Sequence, residues 1–465
     1  MTRAAETGAD LLNRLSIFSD RLTVDAAGQL AIAGYSASDL VAQYGSPLVV
    51  SVEETFEANY ARILTAFSQW WRGEVRVLYS LKCNNNLAIR ALLSLLGAGG
   101  DCFGDAELRA TLETGTDRAQ VALNGSDKTA QQIAVAMAAG VTINIDGSDE
   151  LGFIEEIHRQ TGLVAKTNLR LKVLPEELNH VMRGSGLKHG AGVESVRRAK
   201  WGFTEPAALP ILRDLLASPA TDVTGFSCHI GHLSTDPLAF AAIAGAFGVL
   251  VTRLSLATEF LPKVLDIGGG WSREREPEQR GDDVVLTPIE GQVEAAVSAL
   301  EAAIAPLNVT PALWVEPGRY IVGNAQVLLA SVGAVKEDAG LRWVHLDAST
   351  NNLQRIETGG FRHDLLPANR MLDPMDQLSQ IVGGTCFRSV IGADRALPSL
   401  SRGDLVAVLD AGMYAEVFAN QFNGVPRPAG VLLCKDGSVE LIRKAETYQD
   451  IFGQHILPAR FAPSL

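Results

Sequence analysis

The sequence predicts an α/β fold, a TIM (β/α)8 barrel joined to a second, mostly β C-terminal domain. From Val75 onward, eight strand candidates alternate with helical stretches, which is typical of parallel strands. Polar residues follow nearly every strand, which favours the closed barrel over its rival, an open doubly wound sheet built from similar units. After about Gly323, strand candidates follow one another without long helices, which predicts the β domain.

The predicted elements of the barrel follow one another in a regular order. The eight predicted strands are Val75–Ser80, Gly100–Phe103, Gln120–Leu123, Val141–Ile145, Asn168–Val173, Asp222–Ile230, Val264–Ile267 and Ala312–Val315. The helices predicted between them are Ala88–Leu96, Asp105–Glu113, Thr129–Ala139, Ser148–Thr161, Pro237–Leu256 and Val293–Ala305. The segment from about Glu176 to Arg198 interrupts this rhythm, and either a mobile loop near the site or an ordinary surface loop would explain it.

The pattern predicts three parts of the chain. Residues 1–47 form an N-terminal segment that packs on the β domain, residues 48–322 form the barrel, and residues 323–465 form the β-rich domain. The N-terminal strands Leu22–Val24 and Leu30–Ile32 are expected to join that domain, because the termini of such chains often pack together. The strands predicted for the β-rich domain are Val327–Val335, Trp343–Leu346, Leu378–Val382, Leu405–Leu409, Gly430–Cys434 and Val439–Arg443.

Composition excludes several classes of partner. The 465 residues carry a net charge of −13, which argues against binding to nucleic acid or to an anionic membrane surface. No apolar run is expected to span a bilayer, and the N-terminus lacks the apolar core of a signal peptide. The five cysteines are scattered without a Cys-x-x-Cys pair, so neither a metal site nor a disulfide scaffold is predicted. We therefore expect a cytoplasmic enzyme.

Polar side chains stand where the predicted strands end, and TIM barrels build their active sites at that end. They are Lys82, Asp101, Glu107, Asn124, Lys128, Asn144, Asp146, Arg170, His229, Asp266 and Glu316. Lys82 is of particular interest, because a lysine held against apolar walls loses hydration and its neutral amine can form a Schiff base with an aldehyde. The simpler interpretation of Lys82 alone is a solvated lysine at the end of a strand.

Two glycine-containing turns predict a site for an anion. The seventh strand ends in Gly268, Gly269 and Gly270, whose backbone N–H groups can approach an anion closely. Gly318 and Arg319 follow the eighth strand and add one N–H group and a bidentate guanidinium. TIM barrels often bind phosphate in the loops after strands seven and eight. Three glycines alone are more often a simple turn, but the second turn strengthens the prediction.

A lysine nucleophile, a phosphate site and a carboxylate in one barrel mouth indicate pyridoxal 5'-phosphate as the cofactor. Its aldehyde would bond Lys82, and Glu316 would keep the pyridine nitrogen protonated, so that the ring accepts electrons. His229 would stack on the face of the ring. Taken alone, His229 is more simply explained as a hydrogen-bonded core histidine.

Motifs along almost the whole chain carry a resemblance to a known family. They are Tyr79-Ser80-Leu81-Lys82, Gly100-Asp101, Asn144-Ile145-Asp146, Cys228-His229-Ile230-Gly231, Leu265 to Gly270, Glu316 to Tyr320, Gly383 to Cys386 and Asp410 to Tyr414. In this set and order, the chain resembles the fold-type III pyridoxal-phosphate decarboxylases, the group of diaminopimelate, ornithine and arginine decarboxylases. The resemblance implies decarboxylation of a small-molecule amino-acid substrate.

The resemblance also implies a role for individual residues. Lys82 would form the Schiff base, His229 would stack on the cofactor and Glu316 would pair with the pyridine nitrogen. Other cofactor contacts would come from Asp101, His232, Gly269, Gly270, Gly318, Arg319 and Tyr414. Cys386 would reach the site from a partner subunit and return a proton to the substrate carbon, which implies a homodimer with shared active sites. As a bare sequence feature, Cys386 is better explained as a buried thiol.

Departures from the family pattern concern the phosphate and the substrate. His232 stands where the family has a serine that touches the phosphate. Phe387 and then Arg388 follow Cys386, where many members have an acidic residue that binds the distal amine of the substrate. Arg355 matches the arginine that binds a substrate carboxylate, but the following proline and tyrosine are missing. Our hypothesis is a substrate with a different distal end, such as a conjugated or carrier-bound amino acid.

Two alternative functions fit the same fold. An amino-acid racemase would share the barrel and the lysine, but racemases pair an arginine with the ring nitrogen, and Glu316 argues against that. A non-catalytic regulatory homologue would have lost the cofactor. The retained Lys82, Glu316 and Cys386 argue against such a loss.

Overall fold

This computed structural model of the protein describes residues 6–175, 193–229, 236–276 and 287–461. Its contacts divide the chain into two units. The barrel unit comprises Phe56–Val322, and the β-rich unit comprises Met1–Thr55 together with Gly323–Leu465.

The barrel unit contains a closed barrel of eight parallel strands, which confirms the predicted fold and excludes the open doubly wound sheet. The strands are β1 (Val75–Ser80), β2 (Gly99–Phe103), β3 (Val121–Asn124), β4 (Thr142–Ile145), β5 (Ala165–Arg170), β6 (Thr221–Ser227), β7 (Val264–Asp266) and β8 (Ala312–Val315). Each strand pairs with the next along the chain, and β8 pairs with β1. Strands β3 and β4 are buried at every residue, as expected for parallel strands covered on both faces.

Helices follow the strands of the barrel unit. Their bounds are Glu53–Trp70, Leu87–Leu95, Gly104–Glu113, Ala130–Ala139, Glu150–Thr161, Val193–Arg198, Glu205–Ala217, Pro237–Thr258, Ile289–Ile304 and Arg319–Val322. The fifth strand begins and ends three residues before its prediction, because Ala165 and Lys166 pair with β6. Beyond Arg170, Leu171 forms only an isolated bridge to Phe203. Arg170 is therefore the last residue of β5.

The helix Pro237–Thr258 corrects one expectation. Among the described residues it is the one helix long and apolar enough to cross a membrane by length and composition, so the expectation of no such run is wrong. Most of its apolar window is buried inside the protein. Its Thr252 hydroxyl donates to the carbonyl of Ala303 at 2.8 Å, and a Cβ on Gly248 would lie 2.7 Å from the Ala303 Cβ. These contacts are those of a core helix packed closely on its neighbour.

The β-rich unit is built on a nine-stranded sheet. Its strands are Leu48–Val52, Gln326–Asp338, Leu341–Leu346, Leu365–Pro367, Gln377–Gly383, Val390–Leu397, Leu405–Val408, Ala429–Leu433 and Val439–Arg443. The segment Lys435-Asp436-Gly437 joins the last two strands, which pair antiparallel, and Gly437 has a φ of +85°. Of these strands, Leu365–Pro367 and Val390–Leu397 were not predicted from the sequence.

The strand Leu48–Val52 belongs to this sheet, although the predicted boundary at residue 48 assigned it to the barrel. It pairs antiparallel with Gln326–Asp338 and parallel with Ala429–Leu433. All five of its residues are buried. A short apolar run of this kind fits the centre of either sheet, so its partners are decided by tertiary packing and not by its own pattern.

The N-terminal strands form a small sheet of their own within the β-rich unit. Leu22–Val24, Leu30–Ile32 and Tyr35–Ser36 pair in this order. Leu30 and Ile32 are fully buried in the same apolar core as the large sheet, so the N-terminal strands join this domain by packing. The remaining helices of the unit are Gly8–Leu15, Ala37–Tyr44, Arg355–Gly359 and Tyr448–Phe452.

Candidate active site

A cavity of about 240 Å³ lies at the C-terminal ends of the barrel strands. Its walls are Lys82, Phe103, Asn124, Asn144, Arg170, Ser227, Cys228, His229 and Glu316. These residues lie at, or just after, the C-terminal ends of seven of the eight barrel strands. Lys82 is counted with β1, because it lies in the turn that follows that strand. A closed parallel barrel brings these strand ends together, so residues far apart in sequence share one pocket.

Lys82 lies in a 3-10 turn, Leu81–Cys83, that directly follows β1. Its Nζ atom lies 2.8 Å from Oδ2 of Asp101 and 4.6 Å from the ring centroid of Phe103. The side chain is 35% exposed, whereas the Asp101 side chain is fully buried. The apolar wall predicted for Lys82 is therefore present on one side, and a carboxylate that favours the charged amine lies on the other.

Asp101 is held by three donors. The Ser80 hydroxyl donates to Oδ2 at 2.5 Å, Lys82 Nζ donates to the same oxygen, and Asn124 Nδ2 donates to Oδ1 at 2.8 Å. Ser80 and Asp101 are register partners on β1 and β2, so strand pairing itself brings them together. These three donors, one of them charged, fix the orientation of the Asp101 carboxyl group.

Glu316 directly follows β8, and its carboxyl group is buried in the cavity. The Asn124 amide that donates to Asp101 also donates to Glu316 Oε1 at 2.7 Å. Burial raises the pKa of Glu316 well above its ordinary value, and the nearby carboxylates of Asp101 and Asp266 raise it further. The positive charges of Lys82 and Arg170 act in the opposite direction. A buried acid of this kind responds strongly to any cation that enters the pocket.

His229 follows β6 and is oriented by the glycine turn after β7. The Gly269 N–H donates to His229 Nδ1 at 3.3 Å, which assigns Nδ1 as the acceptor. Gly268 has a φ of +70°, and a Cβ there would lie 2.6 Å from the Cys228 carbonyl oxygen. A Cβ on Gly269 would lie 2.2 Å from the Glu316 carbonyl oxygen. Both positions therefore require glycine, because the turn passes between the ends of β6 and β8.

The second predicted anion-binding turn lies beside the end of β1. The Ser80 N–H donates to the Pro317 carbonyl at 3.2 Å, so the turn is fixed next to the lysine-bearing segment. Gly318 follows, and Arg319 begins the short helix Arg319–Val322. Gly270, with a φ of +95°, completes the turn after β7. The predicted location of His232, and most of the predicted loop at 176–198, lie outside the described residues.

The predicted substrate-binding residues lie in the β-rich unit. Cys386, Phe387 and Arg388 are exposed on the loop between the strands Gln377–Gly383 and Val390–Leu397. The prediction of a buried thiol for Cys386 as a bare feature is therefore wrong. The Phe387 side chain is 54% exposed, and its ring meets the ring of Phe422 edge-on at 6.3 Å.

Arg355 and Tyr414 come together in the same unit. The Arg355 guanidinium lies 4.9 Å from the ring centroid of Phe361 and 5.9 Å from those of Tyr414 and Phe418. A Cβ on Gly359 would lie 2.8 Å from the guanidinium carbon, so the arginine packs directly on this glycine. The aromatic rings favour the guanidinium through cation–π contacts.

Several residues of the cavity received no role from the sequence. Asn124, Asn144 and Arg170 were recognised only as strand-end residues, and Phe103 and Ser227 were not singled out. Position at a strand end was the one available signal, and it does not say which side chains point into the barrel. Alternation along each strand narrows that choice only once the strand bounds are known.

The cavity fits pyridoxal phosphate by the chemistry of its walls. It offers an amine beside a carboxylate, a buried acid and an imidazole, and it lies beside turns in which a Cβ at Gly268 or Gly269 would collide with backbone. Such a set suits a planar cofactor with an aldehyde, a ring nitrogen and a phosphate. Lys82, Glu316 and His229 are the residues that would hold these parts.

Comparison with known proteins agrees with the site. The family described as "Pyridoxal-dependent decarboxylase, pyridoxal binding domain" matches residues 53–323. A diaminopimelate decarboxylase from Archaeoglobus fulgidus is 31% identical over 433 residues, covering 93% of this chain and 98% of the relative. The diaminopimelate decarboxylase from Methanothermobacter thermautotrophicus is 30% identical and covers 94% of this chain and 98% of its own.

A solved structure agrees in fold over nearly the whole length. The crystal structure of diaminopimelate decarboxylase from M. jannaschii in complex with L-lysine superimposes with a TM-score of 0.86 at 28% identity. The match covers 96% of this chain and 100% of that one. This chain therefore belongs to the pyridoxal-dependent decarboxylase family, and it is a pyridoxal-phosphate-dependent amino-acid decarboxylase.

Proposed function

We propose that Lys82 binds pyridoxal phosphate as a Schiff base and that the enzyme decarboxylates an amino acid with an atypical distal group. The observation that carries the first part is the shared pocket of Lys82 and Glu316. Lys82 Nζ and Asn124 Nδ2 both bind Asp101, and the same Asn124 amide binds Glu316. The reactive amine and the buried acid are thus linked through two hydrogen-bonded side chains.

Each pocket residue has a separate task in this proposal. When bound, the cofactor supplies the electron sink for the bond to the departing carboxylate. Asp101 holds the Lys82 amine in place through its 2.8 Å contact. Glu316 holds a proton on the ring nitrogen, and burial strengthens that ion pair because little water competes. His229, whose orientation is set by the Gly269 N–H, would hold the ring by stacking.

We propose that Cys386 returns the proton to the substrate carbon and does so from the partner subunit of a homodimer. Its thiol is exposed within its own unit, on a loop that projects between two strands. An exposed thiol on such a loop is available to a second surface. The family resemblance supplies the assignment of the partner subunit, and the exposure of Cys386 supports it.

The distal end of the substrate is the least constrained part of the proposal. Phe387 is more than half exposed and pairs with Phe422, so the loop presents apolar rings rather than the expected carboxylate. An apolar ring binds a free ammonium group only weakly at an exposed position. A conjugated or carrier-bound amino acid, which lacks a free distal amine, fits this surface better. Meso-diaminopimelate is the second candidate, because the most similar relatives named above are diaminopimelate decarboxylases.

A racemase and a non-catalytic regulator are less well supported. The arginine among the cavity walls, Arg170, is paired with Asp146 at 3.1 Å, and the acid Glu316, which we assign to the ring nitrogen, lines the same cavity. A purified protein that carries a visible cofactor band and releases carbon dioxide would exclude both alternatives.

A mass-spectrometric turnover screen tests the proposal. Protein loaded with pyridoxal phosphate is incubated with meso-diaminopimelate, with the L and D forms of lysine, ornithine, arginine and glutamate, and with thioester-linked and amide-linked glutamate. We expect products lighter by carbon dioxide from a conjugated substrate and slower turnover of meso-diaminopimelate. Faster turnover of meso-diaminopimelate than of every conjugate would contradict the atypical substrate and leave the role of Lys82 intact.

A further inference from the structure

A chain of hydrogen-bonded side chains crosses the interior of the barrel and ends on the two carboxylates of the site. The residues of this amide chain are Thr224, Asn168, Asn144 and Asn124. The Thr224 hydroxyl lies 2.7 Å from Asn168 Oδ1, and Asn168 Nδ2 lies 3.1 Å from Asn144 Oδ1. Asn144 Nδ2 then lies 2.9 Å from Asn124 Oδ1.

The last link of the amide chain serves both carboxylates at once. Asn124 Nδ2 donates to Asp101 Oδ1 at 2.8 Å and to Glu316 Oε1 at 2.7 Å. An amide NH₂ group has two hydrogens, so each carboxylate receives one. Asn168 is fully buried and is not among the cavity walls. The hydrogen-bonded connection from Asn168 to the two carboxyl groups therefore passes through the two asparagines between them.

Strand pairing sets the spacing of the amide chain. Its members lie on four consecutive strands, β3 to β6, and Asn144 and Asn168 are register partners on β4 and β5. Thr224 is the extra residue of a bulge in β6, since Val223 pairs with Thr167 and Gly225 pairs with Asn168. A bulge turns its extra residue away from the regular alternation. Here it turns the threonine hydroxyl toward the neighbouring strand.

The two carboxylates fix the direction of the amide chain. Asn124 Nδ2 lies within hydrogen-bond distance of both carboxyl groups, so the NH₂ group of Asn124 faces Asp101 and Glu316. Its carbonyl oxygen then accepts from Asn144, whose own carbonyl oxygen accepts from Asn168. At the far end, the Thr224 hydroxyl lies 2.7 Å from Asn168 Oδ1 and 3.0 Å from the Thr167 carbonyl oxygen, and donation to the nearer oxygen completes the sequence. Hydrogen bonds aligned in one direction polarise one another, and each strengthens the next.

We propose that Thr224 and Asn168 are positioning residues that keep Glu316 ionised and correctly oriented by acting through the amide chain. This inference rests on the proposed role of Glu316 as the partner of the ring nitrogen. The effect is needed because Glu316 is buried among other acids, and burial without donors favours its neutral form. A neutral Glu316 could no longer hold a proton on the ring nitrogen, and the cofactor would bind less tightly.

Other charged and titratable groups also face Glu316, and two of them, Asp101 and Asp266, are hydrogen-bonded by Asn124 and Asn144 of the amide chain. The groups that face Glu316 are Lys82, Asp101, Arg170, Cys228, His229 and Asp266. Burial and the acids among them raise the pKa of Glu316, and the two cations lower it. Removal of a donor from the amide chain therefore shifts the protonation of Glu316 toward higher pH, since the ionised form loses support.

The experiment compares holoenzyme variants with two readouts besides activity. Asn168→Leu removes the amide at similar volume, and Thr224→Val removes only the first donor. For each, we measure the dissociation constant of pyridoxal phosphate and the pH midpoint of the visible absorption change of the bound cofactor. We expect the dissociation constant of pyridoxal phosphate to rise about tenfold in Asn168→Leu and about threefold in Thr224→Val. In both variants, we expect the pH midpoint of the absorption change to lie above that of the wild type.

Thr167→Val is the matched control. Thr167 is the neighbour of Asn168 on β5, is fully buried, and its Oγ1 makes no hydrogen bond among the described residues. We expect this variant to match the wild type in both readouts. If Asn168→Leu or the milder Thr224→Val folds and behaves like Thr167→Val, the inference is overturned. If Asn168→Leu does not fold, Thr224→Val decides.

Glu316→Gln separates the inference from the proposed function. If this variant leaves cofactor affinity and the pH midpoint unchanged, the proposed role of Glu316 fails, and the inference fails with it. If Glu316→Gln changes both readouts while Asn168→Leu and Thr224→Val change neither, only the inference about the amide chain fails.

Discussion

The barrel unit and the β-rich unit hold their candidate site residues in opposite ways. In the barrel unit, Asp101 and Glu316 are buried at strand ends and share the donors of one amide. In the β-rich unit, Cys386 and Phe387 are exposed on a loop between two strands. In the first arrangement, donors from neighbouring strands hold both carboxyl groups in place. The second depends on a loop, which tolerates change in sequence.

The two units also differ in how far their assigned residues depart from the family pattern. Among the residues of the barrel that we assign to the cofactor, His232 departs from the family pattern, and it lies outside the described residues. The departures at Phe387 and Arg388, and the missing proline and tyrosine after Arg355, all fall in the β-rich unit. A change in a buried network leaves partners unsatisfied, whereas a change on an exposed loop leaves the fold intact. Substrate preference can therefore change while the chemistry of the barrel is retained.

The strongest test of the contrast is the loss of the barrel lysine. Lys82→Ala removes the group that we propose binds the cofactor, so we expect turnover to fall by about a thousandfold or more. Because the side chain is partly exposed, the fold should survive, as checked by circular dichroism. Lys166→Ala, at an exposed position on β5, is the control and should keep full activity. Turnover near the wild-type rate in Lys82→Ala, without added amine, would refute the assignment.

The next test removes the thiol of the β-rich unit. Cys386→Ala should lower kcat about a hundredfold, because a positioned proton donor typically contributes that much. Cofactor affinity should remain unchanged, since Cys386 is not among the residues that we assign to the cofactor. Cys434→Ala, also in the β-rich unit, provides a control for the loss of a thiol. A large loss of cofactor affinity in Cys386→Ala, but not in Cys434→Ala, would contradict the separate roles that we assign to the two units.

A smaller effect is expected at the neighbouring phenylalanine. Phe387→Glu restores an acidic side chain after Cys386, so we expect the ratio of kcat/KM between meso-diaminopimelate and a conjugated substrate to rise about tenfold. The gain of a distal ion pair is the physical reason. Leu378→Glu adds the same charge at another exposed position of the unit and should leave the ratio unchanged. An unchanged ratio in Phe387→Glu would show that this position does not select the substrate.

The smallest expected effect concerns the loss of stability that results from burying the carboxyl group of Glu107 in the barrel unit. Glu107 accepts from the Phe103 N–H at 2.6 Å, and burial raises its pKa from 4.5 to about 7. The folded protein keeps a proton that the unfolded chain loses, so this group lowers stability as the pH rises from 4.5 to 7. Glu107→Gln removes this titration and keeps the acceptor. Above this window, we expect it to be more stable than the wild type by about 1–3 kcal/mol.

Denaturant unfolding of the full-length apoprotein across the pH range measures this difference. The gain in stability of Glu107→Gln should disappear near pH 4, where both the folded and the unfolded wild type carry the proton. Glu113→Gln, at an exposed position on the same helix, is the control and should show no such trend. A gain that is independent of pH would contradict the role of burial.

Local pattern was sufficient for the barrel but not for the division of strands between the units. Alternation of strands and helices from Val75 to Val315 predicts eight parallel strands, and all eight are present. The strand Leu48–Val52 has the same apolar pattern, yet it pairs in the β-rich sheet. The residues of a buried strand do not indicate which strands it pairs with, because every buried strand needs the same kind of residue.

The sequence by itself determined the fold class, the family and the presence of Lys82, His229 and Glu316 at strand ends, because these follow from periodicity and from motifs in a fixed order. Only the tertiary structure decided that Asn124 serves Asp101 and Glu316 together, and that a bulge brings Thr224 to Asn168. The physical reason is that a hydrogen bond between strands depends on register and on the inward face of each strand. Closure of the whole barrel sets both of these, and no single segment contains them.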